Sequence, residues 1–137
     1  MCGAALIAHA LLGATAATSA GLPPALYTKA QAAAGAKLYS STCVQCHGDN
    51  LEGGVGPALR GPNLVRLATK TKLTVGDFFG FMSLQMPLNA PGSLPKDQYA
   101  SIMAYVLARN GYPAGPKPLT YAVATSSNVI ITTYGGR

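Results

Sequence analysis

From residue 99 onward the apolar positions keep a helical period. Tyr99, Ile102, Met103, Val106 and Leu107 fall at i, i+3, i+4, i+7 and i+8, which is one face of a helix. The pattern predicts a helix over 95–109, with Pro95 suited to its first position and Asn110-Gly111 to its C-cap. Upstream, Thr74-Val75-Gly76-Asp77 resembles a capping box with Asp in place of Glu, so a second helix is expected over 75–84. Phe78, Phe79, Phe81 and Met82 make that helix largely apolar. A third is expected over 29–39, with Thr28 as its N-cap and an alanine-rich body. Gly35 stands out inside it, because glycine costs about 1 kcal/mol against alanine in a helix. Close approach of another helix at that point would offset the cost. A short helix over 64–68 and a basic connector, Lys70-Thr71-Lys72-Leu73, complete the periodic segments.

The stretches between these helices read as turns and loops. Ser40-Ser41-Thr42 ends the first helix, and residues 49–63 form a Gly- and Pro-rich loop that nonetheless carries apolar Val55 and Leu59. Residues 85–93 form another loop with Met86-Pro87 at its head. Proline restricts the residue before it to extended backbone. After Pro113 the composition shifts to a Pro/Gly linker and then a Thr/Ser/Val/Ile-rich tail, in which 129–134 has strand character. A lone apolar strand is not left exposed, so the tail is expected to pack on the domain or on a partner.

At 137 residues the chain is one domain plus a removable leader. Residues 1–20 carry no charge, are rich in Ala, Leu, Gly and Thr, and end in small residues suited to cleavage, so they read as a secretory signal. An uncleaved membrane anchor is the competing reading. The expected organisation is a leader over 1–20, an extended segment over 21–27, the folded domain over 28–112, and a linker and tail over 113–137. The net charge is +6, from ten basic and four acidic residues, all after the leader. The basic residues are dispersed, with no basic helix or aromatic-interleaved run, which argues against nucleic acid. Such a charge suits steering onto an acidic protein surface, and equally suits plain solubility.

Composition leaves the chemistry to one motif, Cys43-Val44-Gln45-Cys46-His47. C-x-x-C-H is the attachment signature of c-type haem. Both thiols add across the haem vinyl groups as thioethers, and the adjacent histidine offers an imidazole nitrogen to the iron. A thioredoxin-like dithiol would need a surrounding βαβ pattern, which is missing. Zinc would need two more ligands, and outside the motif the chain offers only Cys2 and His9, both in the leader. With the leader removed, no odd cysteine remains. The sequence therefore calls for one covalently bound haem c, attached after export.

If the iron only carries electrons it needs a sixth ligand. His47 is the one histidine outside the leader, so a second imidazole from the same mature chain is excluded. Thioether sulfur is the usual alternative, and a His/Met pair raises the potential. Met103 lies on the apolar face of the last helix and Met82 reads as core packing. Met86, restrained by Pro87, is the first choice, with Met82 as the alternative. A metal-bound histidine donates its other ring N–H to an acceptor, and the Gly56-Pro57 backbone is the candidate for it. Leu59 suits a porphyrin face, Arg60 suits a haem propionate, and the 75–84 helix is expected along the haem edge.

These residues resemble a class I (monohaem) cytochrome c of the bacterial periplasmic type. The resemblance covers about 28–111. It rests on Gly35 and Tyr39 ahead of Cys43, on Cys43, Cys46 and His47, on Gly56-Pro57-Ala58-Leu59, and on Met86-Pro87 followed by a helix with Ala104-Tyr105-Val106-Leu107. It implies an all-α cytochrome c fold, three to four short helices wrapped around one haem, with an irregular or strand-like C-terminal tail. It implies that the Pro57 carbonyl accepts from His47 and that Gly35 meets the last helix near Tyr105. More loosely, residues 86–115 resemble cytochrome c subunits serving periplasmic dehydrogenases, such as quinoprotein alcohol dehydrogenases.

The expected function is one-electron transfer between a periplasmic oxidoreductase and the respiratory chain. The implied partners are redox proteins: a dehydrogenase donor and an oxidase or another cytochrome as acceptor. Membrane contact would arise through an uncleaved leader or a membrane complex. The alternatives are a fixed subunit of a larger dehydrogenase or oxidase, its tail serving as a docking strand, and a ligand-binding or peroxidatic haem protein. No nucleophile–base pair for substrate catalysis is visible.

Overall fold

The computed structural model describes residues 23–134. The signal-peptide reading, with Cys2 and His9, lies outside the described residues. Among the described residues six helices follow in order: α1 (Lys29–Thr42), α2 (Val44–His47), α3 (Gly61–Thr71), α4 (Val75–Gln85), α5 (Lys96–Arg109) and α6 (Tyr121–Thr125). Among the described residues no helix is long and apolar enough to cross a membrane.

The helix starts follow their caps. Thr28 accepts from the Gln31 amide at the head of α1, and Thr74 and Asp77 exchange the reciprocal bonds of a capping box at the head of α4. Two helices outrun expectation. α1 continues through the serines because the Ser40 and Ser41 hydroxyls bond back to the Lys37 and Leu38 carbonyls, both at 2.9 Å, and so stay within the helix. α3 begins at Gly61 with Pro62 in its first turn and stops where Lys72 turns left-handed at φ +58°. The first half of the expected basic connector, Lys70-Thr71, is thus helix.

α1 and α5 form the main packing pair. A Cβ on Gly35 would lie 1.8 Å from the Ser101 carbonyl oxygen, so only glycine lets the two backbones meet. The contact falls one turn earlier than the expected one near Tyr105. Tyr105 instead packs against Tyr39, with ring centroids 5.2 Å apart. The apolar face of α5 (Tyr99, Ile102, Met103, Val106, Leu107) is buried as its period requires.

The tail is where the expectation needs correction. Residues 129–134 form no strand: Thr74 and Ile130 make an isolated antiparallel bridge, and the remainder is irregular. A helix, α6, stands just upstream where none was expected, capped by Thr120, whose Oγ accepts from the Val123 amide. The tail packs on its own domain. Its Leu119, Ala124 and Ile131 side chains are buried. Backbone bonds join Val75 N–H to the Val129 carbonyl, Ile131 N–H to the Leu73 carbonyl and Tyr134 N–H to the Asn110 carbonyl. Most of the tail's packing is therefore internal, while Val123 and Ile130 stay 48% and 41% exposed.

Candidate functional site

The end of α1, α2, the loop over 55–59, α3, α4 and the segment after it surround a cleft of about 1070 Å³. Cys43, Cys46 and His47 line it together with Pro57, Leu59, Met82 and Met86. Val55, Phe81 and Leu88 also line it and stand 92%, 61% and 76% exposed, an unusual concentration of open apolar surface. Phe78 joins them, whereas Phe79 is turned away and packs edge-on against Tyr121, centroids 5.0 Å apart. The sequence reading missed Leu64, Leu67 and Ile102, which also line the cleft. The helical spacing of Leu64 and Leu67 was the available signal, but a short helix with no known neighbour does not say which way its apolar side faces.

His47 is held by its own stretch of chain. Its amide bonds the Cys43 carbonyl at 3.0 Å, and its carbonyl accepts from Gly53 N–H at 2.9 Å. Gly56 N–H reaches the Cys46 carbonyl at 2.8 Å. A Cβ on Gly56 would lie 2.8 Å from His47 Cε1, so the loop backbone rests directly on the imidazole. His47 Nδ1 sits 2.8 Å from the Pro57 carbonyl oxygen. A carbonyl can only accept, so Nδ1 carries the proton and Nε2 keeps its lone pair.

Neither Cys43, half-buried, nor Cys46, exposed, is tied into a disulfide. Burial, with a smaller contribution from Cys46, pushes the Cys43 thiol up to about 11. This is the reverse of the lowered thiol of a dithiol oxidoreductase. No three His, Cys, Asp or Glu side chains among the described residues converge as a bare metal ion would need.

Met86 caps α4 in extended backbone, φ −115° and ψ 155°, as the following proline requires. Met103 is fully buried and lies off the cleft. Arg60 does not line the cleft either; it borders a separate depression with Asn50, Glu52 and Asn63.

An open apolar cradle, two cysteines outside any disulfide, one imidazole with a defined tautomer and two thioethers are the donor set of a covalently attached porphyrin. The residues fit the group, and the arrangement defines an all-α haem c domain.

The comparisons place it more narrowly. The family described as cytochrome c oxidase, cbb3-type, subunit III matches residues 30–106, and the chain belongs to that family. The protein is accordingly a c-type cytochrome, an electron carrier rather than a catalyst, with covalently bound haem c. The sulfane dehydrogenase SoxCD from Paracoccus pantotrophus is similar in structure, with a TM-score of 0.55 and 24% identity over 92% of this chain and 67% of that one. At that identity the likeness speaks to the fold. No curated protein matches the chain.

Proposed function

We propose that Cys43 and Cys46 carry the two thioether links, that His47 Nε2 and Met86 Sδ are the axial ligands, and that the protein shuttles single electrons between periplasmic redox proteins. The observation that carries this reading is the cleft itself. It joins both thiols, an imidazole whose Nδ1 is already committed to Pro57, and Met86 on a backbone that proline restrains. Bound haem c supplies the ferrous/ferric couple. Pro57 fixes the His47 tautomer and orientation, which makes the imidazole a better donor. Leu59, Val55, Phe78 and Phe81 offer apolar surface to the ring and keep water from it. Export to the periplasm is part of the proposal, as the leader and the haem attachment imply.

A second reading makes the domain a fixed subunit. The matching family is named for an oxidase subunit and the similar structure is that of a dehydrogenase. In that case the partner would meet the exposed rim of the cleft, because most of the tail's packing is internal.

The test is the visible spectrum, oxidised and reduced, of wild type and Met86→Ala. Wild type should be low-spin with the thioether–ferric charge-transfer band, and the variant should lose that band and bind carbon monoxide when reduced. A variant that keeps the band would move the ligand to Met82. A high-spin wild type would remove thioether ligation altogether.

A further inference from the structure

The segment that follows α4 is exposed along most of its length: residues 88–93 all face solvent, and Met86, Pro87 and Leu94 are partly buried. An exposed loop with few buried contacts belongs to the least stable part of a fold. A ligand at its head would be free to leave unless something fixed it. Within the loop, Gly92 N–H bonds the Met86 carbonyl at 3.2 Å and Ala90 N–H bonds the Pro87 carbonyl at 2.9 Å. Both bonds are local and close to water.

One side chain reaches the loop from the core by hydrogen bonds. Tyr99, on the apolar face of α5 and 3% exposed, donates its hydroxyl proton to the Met86 carbonyl. The phenol oxygen of Tyr99 in turn accepts from Leu94 N–H at 3.4 Å. A phenol has one proton to give and lone pairs to receive, and Tyr99 uses both functions on the two ends of one loop. The ring itself sits in the main core cluster, which Met86 and Leu94 also touch. The Tyr99 hydroxyl does not line the cleft, so it can act only through the loop.

We infer that Tyr99 is a positioning residue for Met86: its hydroxyl closes the loop over residues 86–94 and holds the thioether at the iron. This inference rests on Met86 being the ligand. It goes beyond that assignment by naming what sets how firmly the ligand is held. Removal of the hydroxyl leaves the Met86 carbonyl its bond from Gly92, so the loop loosens rather than collapses. The sixth position then becomes easier for an outside ligand to take.

The experiment is a titration of the ferric holoprotein with imidazole, followed through the thioether charge-transfer band, for wild type, Tyr99→Phe, Tyr27→Phe and Met86→Ala. Tyr27 is the matched control. It is 4% exposed and its hydroxyl donates to a backbone carbonyl, that of Tyr112, away from the Met86 loop. Loss of one such hydrogen bond should tighten imidazole binding by roughly three- to tenfold in Tyr99→Phe and leave it unchanged in Tyr27→Phe. Both variants should lose similar thermal stability. Equal imidazole affinity in wild type and Tyr99→Phe, or the same rise in both tyrosine variants, would overturn the inference. If Met86→Ala keeps the band, it is the ligand assignment that fails, and that outcome is distinct.

Should Tyr99→Phe yield no holoprotein, amide exchange in the wild type decides the matter. Leu94 N–H, held by the phenol oxygen, should exchange far more slowly than that of Asn89 at the exposed tip. Equal rates would overturn the staple.

Discussion

The two sides of the cleft are built in different ways. On the side of His47 most of the support is local: residues 43–59 are stitched by backbone bonds among Cys43, Cys46, His47, Gly53, Gly54 and Gly56, the imidazole is fixed by Pro57 ten positions away, and Asn110 at the end of α5 adds one distant bond to the Leu59 carbonyl. Contacts of short sequence separation cost little in loop closure. On the side of Met86 the support comes from other elements. Tyr99 reaches the loop from α5, and α4 leans on a tail that begins more than thirty residues later, with Tyr121 against Phe79 and its hydroxyl 3.3 Å from Ser83 Oγ. The covalent side thus draws mainly on its own stretch of chain, with α5 bracing it through Val106 and Asn110, and the side with the proposed exchangeable ligand leans more on α5 and the tail. An electron carrier gains from that division: the attachment point stays constant, while the grip on the sixth ligand can be adjusted from a distance.

The largest effect is expected on the local side, at Leu51. This residue is fully buried beside Tyr39 and Val106, yet its backbone is left-handed, with φ +61°. A bulky residue rarely adopts that conformation, at a cost of about 1–2 kcal/mol. Leu51→Ala keeps most of the strain and removes the packing, so it should cost about 2–5 kcal/mol in denaturant unfolding. Amide exchange should speed up first at Gly53 and Gly56, while Ile131 and Tyr134 keep their protection. A loss spread evenly over both regions would mean that the two sides are a single cooperative unit.

Gly76→Ala tests the remote side. Val75 N–H and Gly76 N–H, two of the free donors at the start of α4, bond the Val129 and Ser127 carbonyls at 2.7 and 2.9 Å. A Cβ on Gly76 would stand 2.7 Å from the Thr125 carbonyl oxygen and 2.8 Å from that of Ser127. Both are backbone atoms, so the tail must step back, at a cost of about 1–3 kcal/mol. The sign is decisive, because alanine in a helix is otherwise better than glycine by up to about 1 kcal/mol. A less stable variant with fast exchange at Ile131 and unchanged exchange at Gly53 and Gly56 is expected. A more stable one would show that the tail does not brace α4.

The same division governs what the sequence made legible. The haem motif, the cap residues Thr28 and Thr74, the α5 face and the extended Met86 are all local patterns, readable wherever a few neighbouring residues determine the outcome. Gly35 was readable as a close approach, but its partner was not, since nothing in either helix fixes their relative register; the contact fell on Ser101. Of the two expectations for the tail, irregular or strand-like, the strand did not form: Val129, Ile130 and Ile131 have strand propensity, and propensity yields to context. Here each extended residue pairs with a helix end or a loop instead of a sheet. Tyr99 was placed correctly on the buried face, but the role of its hydroxyl was invisible. A buried tyrosine signals that its oxygen has a partner, and the sequence does not say which one. Arg60 was chosen by chemistry alone and lies off the cleft.

The smallest effect should come from the exposed capping box at the head of α4. Hydrogen bonds from the Thr74 hydroxyl, then from the Thr74 amide, hold the Asp77 carboxyl below its ordinary value. A folded-state value lowered in this way adds stability above the unfolded value of about 3.9 and loses it as the pH falls through the folded one. Asp77→Asn should therefore be slightly less stable than wild type near neutrality, with the gap closing as the pH drops below about 4. The carboxyl is fully exposed, so the gap should be small and sensitive to salt. No gap at any pH would assign the cap to the bond from the Asp77 amide to the Thr74 hydroxyl oxygen, which asparagine leaves intact. Because Asp77 belongs to the Met86 side, its titration should move protection in α4 and leave the amides of residues 47–56 as they were. A pH response on the His47 side would show that the two halves of the cleft communicate through the helix cap.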